Sequence, residues 1–258
     1  MGELLDNLKQ LVDLDRTFGI EFQGKPAPTP LLPVSKALLT HVAPVRQSVS
    51  PPAALSSAPR LAASLPAASG LAAADLDAIA AAVARCTACG LCSGRTKTVP
   101  GEGATSPELV FIGEGPGADE DASGRPFVGA AGQLLDKMIV AMGLQRSDVF
   151  ICNVVKCRPP GNRAPEPDEI AACLPYLEAQ LDALKPKVIC LLGATPLKAL
   201  LGLSGITRIH GQRQEWRGIP TIPTFHPAYL LRNTEAKKPA WDDLKIVLSL
   251  LGRETPKR

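Results

Sequence analysis

From residue 108 onward the chain alternates short apolar runs with longer stretches in which apolar residues recur every three or four positions. The runs 108–113, 149–154 (VFICNV) and 187–192 (KVICLL) have the length and composition of buried strands. Between them, 130–143 carries Leu134, Leu135, Met138, Ile139 and Met142 on one helical face, and 167–184 reads as a helix entered through Pro167. Gly193 opens a short helix ending near Leu201. Residues 213–216 and 219–223 pair as a hairpin turning at Arg217-Gly218, and a last helix covers 235–251. Strands separated by helices form a parallel sheet covered on both faces, so the fold class is α/β.

The pattern is absent upstream. Residues 3–20 place Leu4, Leu5, Leu8, Leu11, Val12 and Leu14 at helical spacing. A helix so short is marginal alone, so 1–22 reads as an amphipathic segment that docks on a protein partner or frays. Residues 23–70 are rich in Pro, Ala and Ser; no acid lies between Glu21 and Asp75, and no aromatic between Phe22 and Phe111. Such a segment buries too little surface to offset its ordering entropy, which predicts a disordered linker. Residues 71–85 are alanine-rich and helical in propensity, and the folded domain, 71–258, begins with them.

The stretch Ile112–Gly132 (IGEGPGADEDASGRPFVGAAG) follows the first strand. Its glycines and prolines predict a loop at the carboxyl end of a strand, where open α/β sheets bind ligands. Glu114, Asp119, Glu120 and Asp121 would repel phosphate, and no Lys-Ser/Thr follows as in a P-loop. With Phe127 present, the loop reads as a pocket for a flat, neutral ligand. A formal charge of +3 admits a polyanionic partner without demanding one. No apolar run reaches the roughly eighteen residues of a membrane span, and the N-terminus lacks the basic n-region and apolar h-region of a secretory signal, which predicts a cytoplasmic protein with no membrane partner.

The seven cysteines suit a reducing compartment and a metal site better than a disulfide framework. Cys86 and Cys89 form a C-x2-C pair, with Cys157 and Cys173 far downstream. Four thiolates hold zinc or an iron–sulfur cluster, and spacing alone barely separates the two. Cys92 competes as a ligand, whereas Cys152 and Cys190 sit inside apolar strands and read as buried small hydrophobes.

Four motifs in order, GEGPGADED (113–121), GRPFVGAAGQLLD (124–136), NVVKCRPPGNR (153–163) and HPAYLLR (226–232), resemble the type-4, iron–sulfur uracil-DNA glycosylases over roughly residues 80–251. The resemblance implies a three-layer αβα sandwich with a four-stranded parallel core sheet. It implies a structural [4Fe–4S] cluster on Cys86, Cys89, Cys157 and Cys173, with Cys92 outside the ligand set. It also implies a monomer acting on uracil-containing DNA, single- or double-stranded. Uracil would be flipped out of the stack onto Phe127, read by Asn153, and held by the backbone of Glu114, Gly115, Pro116, Gly117 and Ala118. His226 would donate toward O2 as the glycosidic bond breaks. Related family-1 enzymes place a water-positioning aspartate where this chain has Gly115, so Glu114 or Glu120 takes that role. They exclude thymine's methyl group with a tyrosine where this chain has Gly117, and Glu120 is the substitute. The loop His226–Arg232 would face the opened duplex, with Leu230 or Leu231 as an apolar wedge. Arg232, Lys156, Arg158 and Arg163 would meet phosphates.

Two rivals remain at this level. A uracil-DNA crosslinking relative needs a histidine just after the asparagine motif, and residues 157–163 (CRPPGNR) contain none; His210 lies elsewhere. A non-enzymatic DNA- or polymerase-binding iron–sulfur protein is disfavoured by the intact set Phe127, Asn153 and His226.

Overall fold

The computed structural model describes residues 75–256. The expectations for 1–22 and 23–70 lie outside the described residues. Helix α1, Leu76–Ala84, is capped by Asp75, whose carboxylate accepts from the Ala78 N–H at 2.7 Å. It buries Ile79 and Val83 beside Ala179 and Tyr176. The chain then passes through β1 (Glu102–Gly103), β2 (Leu109–Gly113), α2 (Ala118–Ser123), α3 (Ala130–Ala141), β3 (Phe150–Asn153) and α4 (Pro167–Leu184). It continues through β4 (Val188–Leu192), α5 (Ala194–Leu201), α6 (Ile206–Ile209), β5 (Gln214–Trp216), β6 (Ile219–Thr224), α7 (Pro227–Arg232) and α8 (Lys237–Leu250).

The strands form one sheet in the order β1-β3-β2-β4-β6-β5. The inner four are parallel and the two edge strands antiparallel. The parallel core is therefore present, and the hairpin at Arg217-Gly218 supplies both its fourth member and an edge. Alternate side chains of β2 point to opposite faces. Leu109 and Phe111 join α3 and α8 in one apolar core; Val110 and Ile112 join α4 and α5 in the other. That is the αβα sandwich. After β2 the chain turns to β3 on one side, and β4 then lies on the other side of β2. A crevice opens at the carboxyl ends of the strands at such a reversal.

Two segments read as loops contain helices. Within Ile112–Gly132, residues 118–123 form α2, with acids in the first turn where the helix dipole favours them. Residues 227–232 form α7, with Pro227 at its first position and His226 as its N-cap.

Candidate active site

The crevice holds a cavity of about 330 Å³. Its wall includes all the residues expected of the pocket: Glu114, Gly115, Pro116, Gly117, Ala118, Glu120, Phe127, Asn153 and His226. Asn153 ends β3 opposite Gly113 at the end of β2. It is 1% exposed, and its Oδ1 has no hydrogen-bond partner. A buried unpaired acceptor is costly unless a ligand satisfies it. A Cβ on Gly113 would overlap Asn153 Oδ1 and come within 2.5 Å of Phe127 Cζ. Glycine there lets the amide and the ring share one end of the cavity.

Phe127 holds a left-handed backbone (φ 51°), a conformation a bulky residue adopts only when its surroundings impose it. Arg146 is part of those surroundings. Its guanidinium donates to the carbonyls of Pro126 (2.5 Å) and Phe127 (3.2 Å), and is itself gripped by Glu102 (2.9 Å) and Asp136 (2.6 Å). Neither Arg146 nor Glu102 was singled out by sequence, because both lie outside the motifs in segments of ordinary surface composition. The Phe127 ring lies 5.6 Å from the His226 ring, tilted by 32°.

His226 accepts a hydrogen bond at Nδ1 from the backbone N–H of Ala228, at 3.1 Å. The proton of the neutral ring therefore sits on Nε2. Burial holds the imidazole down at about 4, helped by the charge of Arg232 and opposed by Glu120. Although partly exposed at the mouth of the cleft, the ring is walled by protein and neutral near pH 7. It presents one N–H donor.

Glu120 accepts from the N–H groups of Gly117 (2.9 Å), Val128 (2.9 Å) and Gly129 (3.0 Å). It ties the loop after β2 to the Phe127 corner. Glu114 instead accepts from the hydroxyl of Thr195 at the start of α5. Thr195 was not anticipated as a site residue, though its place just past the carboxyl end of β4 was the available signal.

Beside α1 and α4, Cys86, Cys89, Cys157 and Cys173 line a small chamber, and Cys92 lines it with them. Cys152 and Cys190 are fully buried in β3 and β4. Among the described residues, no group of three or more His, Cys, Asp or Glu is arranged to hold a metal ion. Burial pushes the Cys173 thiol up to about 12 against the pull of the Lys156 charge, and raises Cys89 and Cys157. Donors are aimed at the sulfurs: the Lys156 N–H reaches Cys173 Sγ at 3.2 Å, and Arg95 reaches Cys157 Sγ at 3.3 Å. Buried thiols with N–H donors aimed at them fit a cationic metal–sulfur group, which would favour their thiolate forms.

The model of the Uracil DNA glycosylase superfamily matches residues 100–245. This chain belongs to the uracil-DNA glycosylase superfamily. It is 46% identical over 184 residues to a type-4 uracil-DNA glycosylase of Thermotoga maritima, covering 69% of this chain and 96% of that protein. It is 46% identical over 194 residues to the type-4 enzyme of Sulfurisphaera tokodaii, covering 71% and 87%.

Seen as a uracil-DNA glycosylase superfamily member, the chain needs two corrections at the cleft rim. Lys156 is not a surface contact: it is 1% exposed, and its ammonium donates to the Asn153 carbonyl (2.8 Å) and to Gln180 Oε1 (2.6 Å). Leu230 is not a wedge, because it is fully buried in the α3–α8 core. Leu231, 44% exposed, is the free apolar tip of α7, next to exposed Arg232. Arg163 reaches the cleft but is paired with both oxygens of Glu169, at 2.8 and 2.6 Å. Arg158 is bound to Asn162 at 2.7 Å.

Proposed function

We propose that this protein excises uracil from DNA by hydrolysing its N-glycosidic bond. The observation that carries the reading is the buried, unpartnered Oδ1 of Asn153 beside the Phe127 ring. A uracil flipped from the stack and lying on Phe127 would satisfy that acceptor with N3–H, while the amide N–H2 meets O4. Cytosine mismatches both: it has an acceptor at N3 and donors at N4. Its relatives' names point the same way, since they are type-4 uracil-DNA glycosylases.

His226 Nε2–H donates toward O2, where negative charge grows as the bond to the sugar breaks. A neutral imidazole suits this role, for it stabilises the leaving anion without first surrendering a proton to solvent. Glu114, steadied by Thr195, is the carboxylate available to orient water or to face the cationic sugar. Glu120 has three backbone N–H partners and so braces the pocket rather than acting as a base. Leu231 fills the gap left by the base, and Arg232 and Arg158 meet the phosphate backbone.

Cys86, Cys89, Cys157 and Cys173 would hold a [4Fe–4S] cluster, which supplies a covalent staple and no step of the hydrolysis. The staple would join the segment after α1 to the loop after β3 and to α4.

The crosslinking alternative has little support. The His210 ring lies 4.5 Å from the Phe225 ring, tilted by 39°, and hydrogen-bonds Asp243 at 3.1 Å, and it does not line the cleft. The test is single-turnover excision on oligonucleotides carrying one uracil or one cytosine, with a denaturing gel for adducts. The parent protein should leave an abasic site at uracil and no stable adduct. Asn153→Asp should cut uracil excision steeply, since a buried polar mismatch costs about 1–3 kcal/mol. Uracil left intact by the parent protein would refute the assignment.

A further inference from the structure

Lys156 is a buried cation that the hydrolysis does not use. It lines the cysteine chamber and follows closely on Asn153, which lines the cleft. Its backbone N–H donates to Cys173 Sγ at 3.2 Å. Its ammonium donates to the main-chain carbonyl of Asn153 at 2.8 Å and to Gln180 Oε1 at 2.6 Å. The rest of its surroundings are equally fixed: its carbonyl accepts from the Val99 N–H at 2.8 Å, and Gln180 donates onward to the Pro100 carbonyl at 2.7 Å. A lysine that is 1% exposed is rare without a partner of opposite charge. Here the ammonium's acceptors, the Asn153 carbonyl and Gln180 Oε1, are neutral oxygens, and the sulfur-lined chamber is the adjacent anionic site once its thiols are ligands.

We propose that Lys156 is a strut that couples the cysteine chamber to base reading, one arm on the sulfur of Cys173 and the other on the carbonyl of Asn153. Only Val154 and Val155 separate the asparagine from the lysine, so a shift of the chamber is passed directly to the end of β3. The strut makes an assembled chamber a condition for the Asn153 amide to stand where a flipped base needs it. Lys156 is thus a positioning residue and touches no substrate. The inference rests on the base-reading role of Asn153.

The experiment uses the iron-loaded full chain. It compares Lys156→Met and Gln180→Leu, each in the parent and in an Asn153→Ala background. Iron content, reduction potential and single-turnover uracil excision are measured. Lys156→Met keeps the backbone N–H on Cys173, so iron should be retained. Removing a cation beside the sulfurs should lower the reduction potential. Excision should slow by about ten- to a hundredfold, the cost of a small misplacement. In the Asn153→Ala background the same change should cost less than about twofold, because the strut then has nothing to position. Gln180→Leu keeps the charge and loosens its hold, so it should slow excision with the potential unmoved. Equal losses in both backgrounds, or parent-like excision by Lys156→Met, would overturn the strut. If Lys156→Met fails to fold or to hold iron, the Gln180→Leu pair decides by the same comparison. An Asn153→Ala variant that excises at the parent rate would remove base reading by Asn153 and the strut with it; additive losses beside a slow Asn153→Ala would remove the strut alone.

Discussion

At His226 one hydrogen bond sets the tautomer. The Ala228 N–H occupies Nδ1 and so leaves Nε2–H as the donor. His226→Ala should slow single-turnover excision by about 10²–10³ while DNA affinity changes little, because the bond strengthens only as the base leaves. A parent rate with weakened DNA binding would make it a contact residue. Its pH behaviour has a defined sign. The imidazole titrates at about 4 in the fold against 6.5 when free, so the unfolded chain binds more protons between those values. Stability from this residue is complete above pH 6.5 and declines as pH falls toward 4, by about 3 kcal/mol in all. Urea unfolding at pH 7.5 and 4.5 should show a smaller acid loss for His226→Gln than for the parent. Phe127, Asn153 and His226, which share one cavity wall, could be named from the sequence because each lies in one of the four motifs. Lys156 and Leu230 were misread because a lysine in a loop motif and one of two adjacent leucines give no sign of which way they point. On a helix, neighbours diverge by about 100°, which buries Leu230 and exposes Leu231.

At the scale of elements, the long periodic segments were readable and the short ones were not. Helix α4 matches its expected span, Pro167–Leu184, because eighteen residues of pattern and an N-terminal proline define it. Helices α2 and α7 are six residues each, too short to repeat an apolar face. Strand β1 is two residues with no alternation at all. Yet β1 matters to the site, since its Glu102 holds Arg146, and Arg146 holds the corner before α3. Arg146→Gln should release that corner and slow excision by about ten- to a hundredfold through misplacement of Phe127. Single-turnover rates should fall without a matching loss of thermal stability or DNA affinity. A variant that melts much earlier but excises normally would make the network a matter of stability only.

For the molecule as a whole, the cysteines come from three distant parts of the chain to line one chamber. Cys173→Ala should lose iron and thermal stability together, read by iron content, visible absorbance and melting temperature. Cys92→Ala should retain the iron, although its side chain shares the chamber. The reverse result would exchange the two in the ligand set. The C-x2-C pair pointed to the residues of this chamber, but Arg95, which reaches across 62 residues to Cys157, has no local signature. Contacts between faces are set by topology, which spacing within a motif does not encode.

The cleft and the sulfur chamber are separate openings. The base-contacting cleft and the sulfur chamber share no lining residue, and Cys86, Cys89 and Cys92 are partly open to solvent on the chamber's own side. A base seated in the cleft therefore offers those sulfurs no shelter. A cluster on those sulfurs would meet small oxidants from the chamber's own side, and a base seated in the cleft would not lie on that path.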